Sequence, residues 1–249
     1  IAIGQININS AGEAIGAYIK GSANITVTGT AMTIKSAVTG TAVWLSGSSD
    51  GMVFGLNAGV TATGTAYGVR IDNSAGSRVK GSTINLTGGT GTGVYATNSG
   101  TATVGGNTVN VNAVGEGVGA SLSGSGSSVV AGNTMTVNSG LGGTAVWLNN
   151  SGNSSVVTLT ANVAASGTAY GGRVGASNGT TVENASLKVR GGSAGSTGID
   201  VTNSTVAVVV GGQVTITGTN VTNGVYLKTS GNSSVTGVVV NVNSGLTGT

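Results

Sequence analysis

A four-residue phrase recurs along the whole chain: a small residue, an apolar one, any residue, then a second apolar one. It stands at Gly16-Ala17-Tyr18-Ile19, Ala42-Val43-Trp44-Leu45, Gly68-Val69-Arg70-Ile71, Gly93-Val94-Tyr95-Ala96 and Gly117-Val118-Gly119-Ala120. It returns at Ala145-Val146-Trp147-Leu148, Gly171-Gly172-Arg173-Val174, Gly198-Ile199-Asp200-Val201 and Gly224-Val225-Tyr226-Leu227. With the second residue of each phrase as anchor, the spacing is roughly 24 to 28 residues, the period of a solenoid repeat. A unit this short cannot bury its own apolar face, so it must stack on its neighbours.

Each unit carries two further apolar signals. A valine follows a turn of Ser, Thr or Gly, at Val104, Val129, Val156, Val182, Val206 and Val235. An alternating pair comes next, at Ile84/Leu86, Val109/Val111, Met135/Val137, Leu187/Val189, Val214/Ile216 and Val240/Val242. Period-2 alternation and the density of glycine, 48 of 249 residues, exclude helices. A propeller blade needs about 40 residues and four strands, which does not fit. The expected fold is all-β: a single-stranded parallel β-helix of about nine coils, about 26 residues and three short strands each. The right-handed crossover rule for parallel strands makes a right-handed coil the expectation.

Residues 1–249 read as one solenoid. Gly40-Thr41-Ala42-Val43-Trp44-Leu45 returns as Gly143-Thr144-Ala145-Val146-Trp147-Leu148, and Gly64-Thr65-Ala66-Tyr67-Gly68 as Gly167-Thr168-Ala169-Tyr170-Gly171. Both pairs are offset by four coils, which implies a duplicated four-coil block. Neither end reads as a polar cap, and Ile1 follows no initiator Met or signal-peptide pattern. A segment of a longer array is expected.

Composition narrows the class. Charged residues make up only 6 % of the chain, yet no stretch approaches the roughly 18 apolar residues of a spanning helix, so no membrane insertion is expected. Disordered chains are highly charged and poor in β-branched residues; this one is rich in Val, Ile and Thr, the strand formers. Nine basic and six acidic side chains are spread thinly, with no basic cluster to grip a nucleic acid.

In style the coils resemble the passenger domains of bacterial autotransporter adhesins, pertactin-like passengers above all. The likeness rests on Gly/Ser/Thr/Asn-rich, cysteine-free runs such as Gly93-Val94-Tyr95-Ala96-Thr97-Asn98-Ser99-Gly100 and Asn107-Thr108-Val109-Asn110-Val111. The resemblance implies a Gram-negative cell-surface location, adhesion or self-association. Such proteins carry a C-terminal membrane barrel; no such segment is read here, so the expectation is passenger only.

Several β-helices act on polysaccharides, so catalysis was tested against the residues. Glycoside hydrolysis needs two carboxylates about 5 to 9.5 Å apart. Glu13, Asp50, Asp72, Glu116, Glu183 and Asp200 fall in different coils, and there is no His to act as general base. Neither a zinc- nor a calcium-binding set is present. No catalytic residue, metal or cofactor is expected. Glycine phrases such as Gly115-Glu116-Gly117-Val118-Gly119 precede no helix and do not read as phosphate loops.

The residue before each anchor is always Gly or Ala, which points to close backbone approach. The residue after it alternates outward: Tyr18, Trp44, Arg70, Tyr95, Gly119, Trp147, Arg173, Asp200 and Tyr226. Five of the eight aromatic residues stand in this row. Tyr18, Trp44, Arg70, Tyr95, Trp147, Arg173, Asp200 and Tyr226 are therefore the candidate binding residues. Such a row suits glycan stacking or a protein interface; equally, the side chains could pack on one another and stiffen the rod. A second outward row pairs Thr26/Thr28, Asn85/Thr87, Asn110/Asn112, Thr136/Asn138, Lys188/Arg190, Thr215/Thr217 and Asn241/Asn243, too irregular for ice binding. Asn73, Asn98, Asn150 and Asn203 lie at turns and are expected to form a hydrogen-bonded ladder.

The first expectation is an extracellular adhesin presenting the aromatic/Arg row to surface glycans, a host protein or other copies of itself, as in a biofilm. The second is a filament or sheath subunit stacking end to end. A polysaccharide-active enzyme is the third.

Overall fold

Strands form where apolar and polar residues alternate, and each coil repeats that alternation three times. The computed structural model describes residues 4–245; the outermost residues of the 1–249 span lie outside this range. Every strand is paired in parallel with its equivalent one coil on, and the described residues contain no helix. One coil runs through Ala14–Lys20, Thr26–Thr28 and Ala31–Ser36 before the next begins at Thr39–Ser46. Three-residue strands such as Thr26–Thr28 form a narrow face of nine strands, one per coil. The six-residue strands, from Gln5–Ser10 to Val239–Ser244, form a first broad face. Those from Ala14–Lys20 to Thr222–Lys228 form a second.

Three separate sheets would be the simplest outcome of three strands per coil. Instead the two broad faces join into one 17-stranded sheet. Asn57–Asp72 and Thr83–Thr97 run through the bend between the faces without a break. The ladder tolerates this because its register shifts between Ala62 and Thr65, an irregularity of the kind that lets a sheet turn a corner.

Inside, like stacks on like. The second broad face aligns Val43, Val69, Val94, Ala120, Val146, Gly172, Ile199 and Val225. The fifth coil thus departs from the expected phrase: Ala120, not Val118, continues the column. Val118 pairs with Thr92 and Thr144 in an outward row and is half-buried. On the narrow face the inward column is Val27, Val53, Val79, Val104, Val130, Val156, Val182, Val209 and Val235. Val130 and Val209 replace the expected Val129 and Val206. The alternating pairs of the first broad face point inward as expected, Ile84, Val109, Met135 and Leu187 all being buried. Thr26 and Thr28 belong to the narrow face rather than to the outward row of the first broad face.

The small column has a steric cause. A Cβ at Gly68 would overlap both Ile84 Cγ2 and the carbonyl oxygen of Gly93 in the next coil. The expected close approach is therefore real, with Gly119 rather than Gly117 as its fifth-coil member.

Corners are made by single residues in the left-handed region. Three positions per coil have φ near +50 to +70°, for example Asn73, Gly76 and Gly81 in one coil and Asn150, Asn153 and Thr158 in another. Gly and Asn dominate them because they reach this region at least cost. The turn asparagines thus serve backbone geometry, and the expected asparagine ladder is not what the structure contains. A serine ladder runs beside them. The amide of Ser48 donates to Ser74 Oγ (2.9 Å), that of Ser74 to Ser99 Oγ (3.0 Å), and so on through Ser125, Ser151, Ser177 and Ser204. Buried asparagines do bond to one another at a different corner, where Asn107 Nδ2 donates to Asn133 Oδ1 at 3.0 Å.

Candidate ligand-binding face

The outward row of the second broad face falls in the expected register through all eight candidates. Tyr18 pairs with Trp44, Trp44 with Arg70, and Arg70 with Tyr95. Ser121 links Tyr95 to Trp147, filling the place assigned by sequence to Gly119. Trp147 then pairs with Arg173, Arg173 with Asp200, and Asp200 with Tyr226. Tyr18 and Tyr226 are the exposed ends of the row; the members between are half-buried against one another.

A second outward row runs alongside it: Thr41, Tyr67, Thr92, Val118, Thr144, Tyr170 and Thr197. Sequence reasoning missed Tyr67 and Tyr170. The signal was present, since both sit at the same place in the duplicated Gly-Thr-Ala-Tyr-Gly phrase. With them, seven of the eight aromatic residues line one face; Phe54 alone lies on the narrow face.

These side chains gather into two clusters, four coils apart. In the first, the Arg70 guanidinium carbon lies 4.2 Å from the Trp44 ring centre and 5.7 Å from that of Tyr67. Tyr18 tilts against Trp44 at 4.8 Å, and Tyr95 against Tyr67 at 5.7 Å. Asp72 closes the cluster. Its Oδ2 accepts a 2.8 Å hydrogen bond from Trp44 Nε1 and lies 2.7 Å from Arg70 Nε. The second of these is a close ion contact without hydrogen-bond angles, so Arg70 Nε and Asp72 Oδ1 are buried without a hydrogen-bond partner. Burial pushes the Tyr67 hydroxyl above its ordinary pKa of 10.0. Arg70 opposes that rise, while Tyr95 and Asp72 add to it.

In the second cluster Arg173 lies 4.8 Å from the Trp147 ring centre and 4.6 Å from that of Tyr170. Its carboxylate partner is looser: Asp200 Oδ2 is 3.9 Å from Arg173 Nε, and Asp200 Oδ1 accepts a 2.7 Å bond from the Thr202 hydroxyl. Two grooves flank this cluster. One, of about 420 Å³, is bordered by Glu116, Val118, Leu141, Trp147, Tyr170 and Arg173. The other, of about 220 Å³, lies over Gly175 on the far side of Trp147 and Arg173. Leu141 and Val114, at the bend between the broad faces, are exposed on successive coils.

Asp72 and Asp200 are not arranged as an acid–base pair. They stand on strands five coils apart, roughly 24 Å at strand spacing. They also occupy different rows, since Asp72 aligns with Thr97 and Asp200 with Tyr226. Among the described residues no group of three or more metal-ligating side chains comes together. No helix among them is long and apolar enough to cross a membrane, which says nothing of β-barrels.

Searches of protein-family models and of curated proteins find no match. Solved structures similar to the chain include the Streptococcus pneumoniae surface protein and adhesin PfbA, 10 % identical with a TM-score of 0.41, over 98 % of this chain and 90 % of that one. Another is the catalytic unit of a thermostable GH87 α-1,3-glucanase from Streptomyces thermodiastaticus strain HF3-3. It is 13 % identical with a TM-score of 0.29, over 98 % of this chain and 63 % of that one.

Proposed function

We propose that the chain is a cell-surface adhesive solenoid of the autotransporter-passenger type, whose second broad face binds glycan chains. One observation carries this reading: seven of the eight aromatic side chains are gathered in two adjacent outward rows of a single face. A rod that needed aromatics only for stiffness would have no reason to leave the other faces with Phe54 alone. Flat rings beside hydroxyl and amide groups match a sugar, which offers an apolar ring face and polar edges.

The second cluster is the better test, because no carboxylate clasps its indole. Replacing Trp147 and Tyr170 together by Ala should cut glycan-array binding at least about tenfold, since aromatic anchors contribute about 2 kcal/mol or more to recognition. The parent protein binding no glycan at all would overturn the reading. Sedimentation of the same two proteins separates it from lateral self-association, in which the double variant would disperse an oligomer of the parent.

A further inference from the structure

The duplicated blocks set the same tryptophan–arginine pair against different chemistry. In the first block the strand continues from Arg70 to Asp72, whose carboxylate bridges Trp44 Nε1 and Arg70 Nε. Register aligns Ser46, Asp72 and Thr97 in one row. Four coils on, the same row reads Asn149, Gly175 and Thr202. Gly175 therefore stands where Asp72 stands. Trp147 Nε1 and the guanidinium of Arg173 make no hydrogen bond to the protein among the described residues, and the groove of about 220 Å³ opens over Gly175 beside both.

We propose that this groove is a carboxylate subsite and that it takes a uronate residue of an acidic polysaccharide. The ligand's carboxylate sits where Asp72 sits in the first block, accepting hydrogen bonds from the Trp147 indole and the Arg173 guanidinium. Guanidinium is the side chain best matched to a carboxylate. This one is already held over Trp147 and Tyr170, so little side-chain freedom is lost on binding. The remaining wall favours a sugar over an acidic peptide. Asn149, Thr202 and Asn203 supply amide and hydroxyl partners. Trp147 and Arg173 also border the larger groove, so a chain with its carboxylate on one side can lay a neighbouring ring against Tyr170 on the other. Asp200 opposes the ligand: it stands 3.9 Å from Arg173 Nε and lowers the affinity the site could otherwise reach.

This inference rests on the glycan reading of the face and narrows it to acidic chains. The test is calorimetric titration of the full chain with an oligogalacturonate, its carboxyl-reduced counterpart and a poly-glutamate peptide. The acidic sugar should bind at least about tenfold more tightly than the reduced one, the scale of a charge-assisted hydrogen-bond pair. Gly175→Asp restores the internal carboxylate and should abolish that preference. It should fold normally, because a Cβ there meets nothing nearer than Asn149 Oδ1 at 3.6 Å and the backbone φ is not positive. Asp200→Asn should tighten the acidic sugar severalfold. Equal binding of the acidic and reduced sugars, or an acidic preference that survives Gly175→Asp, overturns the subsite while leaving a glycan-binding face. Poly-glutamate binding as tightly as the acidic sugar, with loss in Gly175→Asp, overturns the polysaccharide assignment in favour of a peptide. No binding of either sugar overturns the subsite, and the glycan array then decides separately whether the face binds glycans at all.

Discussion

Val206 sits at a corner that asks for φ of +57° and is filled by Asn153 and Asn232 in other coils. A β-branched residue pays more than most for the left-handed region. Its side chain is half exposed, so little packing would be lost on replacing it. Val206→Asn should therefore raise stability by about 1 kcal/mol, read as an increase in the thermal midpoint. Gly172 is the opposite case, a missing side chain. It interrupts the inward column between Val146 and Ile199, and a Cβ there would meet nothing within 4 Å. Gly172→Val should fill that gap and add about 0.5–2 kcal/mol. Burial makes the Tyr67 hydroxyl harder to ionise. Its folded pKa lies above the unfolded value of 10.0, so its contribution is complete below about pH 10 and is lost as pH rises through the folded value. Tyrosinate absorbance should show one of the five tyrosines ionising last. Arg70→Gln should delay it further, because the guanidinium is the group that holds that pKa down.

At the level of the coil, strand pairing supplies two kinds of ladder, and the side-chain ladder is the more vulnerable. Each serine hydroxyl of the ladder accepts the amide of the preceding coil while donating within its own turn; Ser99 Oγ takes the Ser74 amide at 3.0 Å and donates to Thr97 O at 2.9 Å. Ser99→Ala would strand the buried Ser74 amide. Leaving one such group unpaired costs about 1–3 kcal/mol, and denaturant unfolding of the variant should show a loss of that size. Substituting the half-buried Asn110, whose solvent-exposed bond to Asn85 Oδ1 is 2.8 Å long, should cost far less, because water replaces the lost partner.

For the whole molecule, stability is close to a sum over coils and their interfaces, while recognition is concentrated on one face. The two scales can be separated by mutation. Val94 is fully buried, and Val94→Asp places an unpaired charge in the core, costing several kcal/mol and affecting every probe of folding. Trp147→Ala with Tyr170→Ala removes half-buried side chains and should cost binding far more than folding. The first cluster should behave differently: Trp44→Ala also removes the hydrogen bond to Asp72, so its thermal midpoint should fall more than that of Trp147→Ala.

Coil length, strand number and the outward aromatic row were legible in the chain because they depend on two local periods, two residues along a strand and about 26 between coils. The fifth coil was not. Gly117-Val118-Gly119-Ala120 and Gly119-Ala120-Ser121-Leu122 satisfy the same phrase. A slip of two residues keeps every side chain on its own face, so nothing local rejects it; stacking of Ala120 between Val94 and Val146 makes the choice. The same limit hid the valines of the narrow face, where Val129 and Val130 are adjacent and only the turn angle selects which points inward. It also hid the ladder-forming turn residue, since Asn98 and Ser99 are neighbours and their roles divide by φ and hydrogen bonding. The contrast between Asp72 and Gly175 lies beyond any local pattern: a carboxylate becomes the partner of an indole 28 residues earlier only once coils are stacked in register.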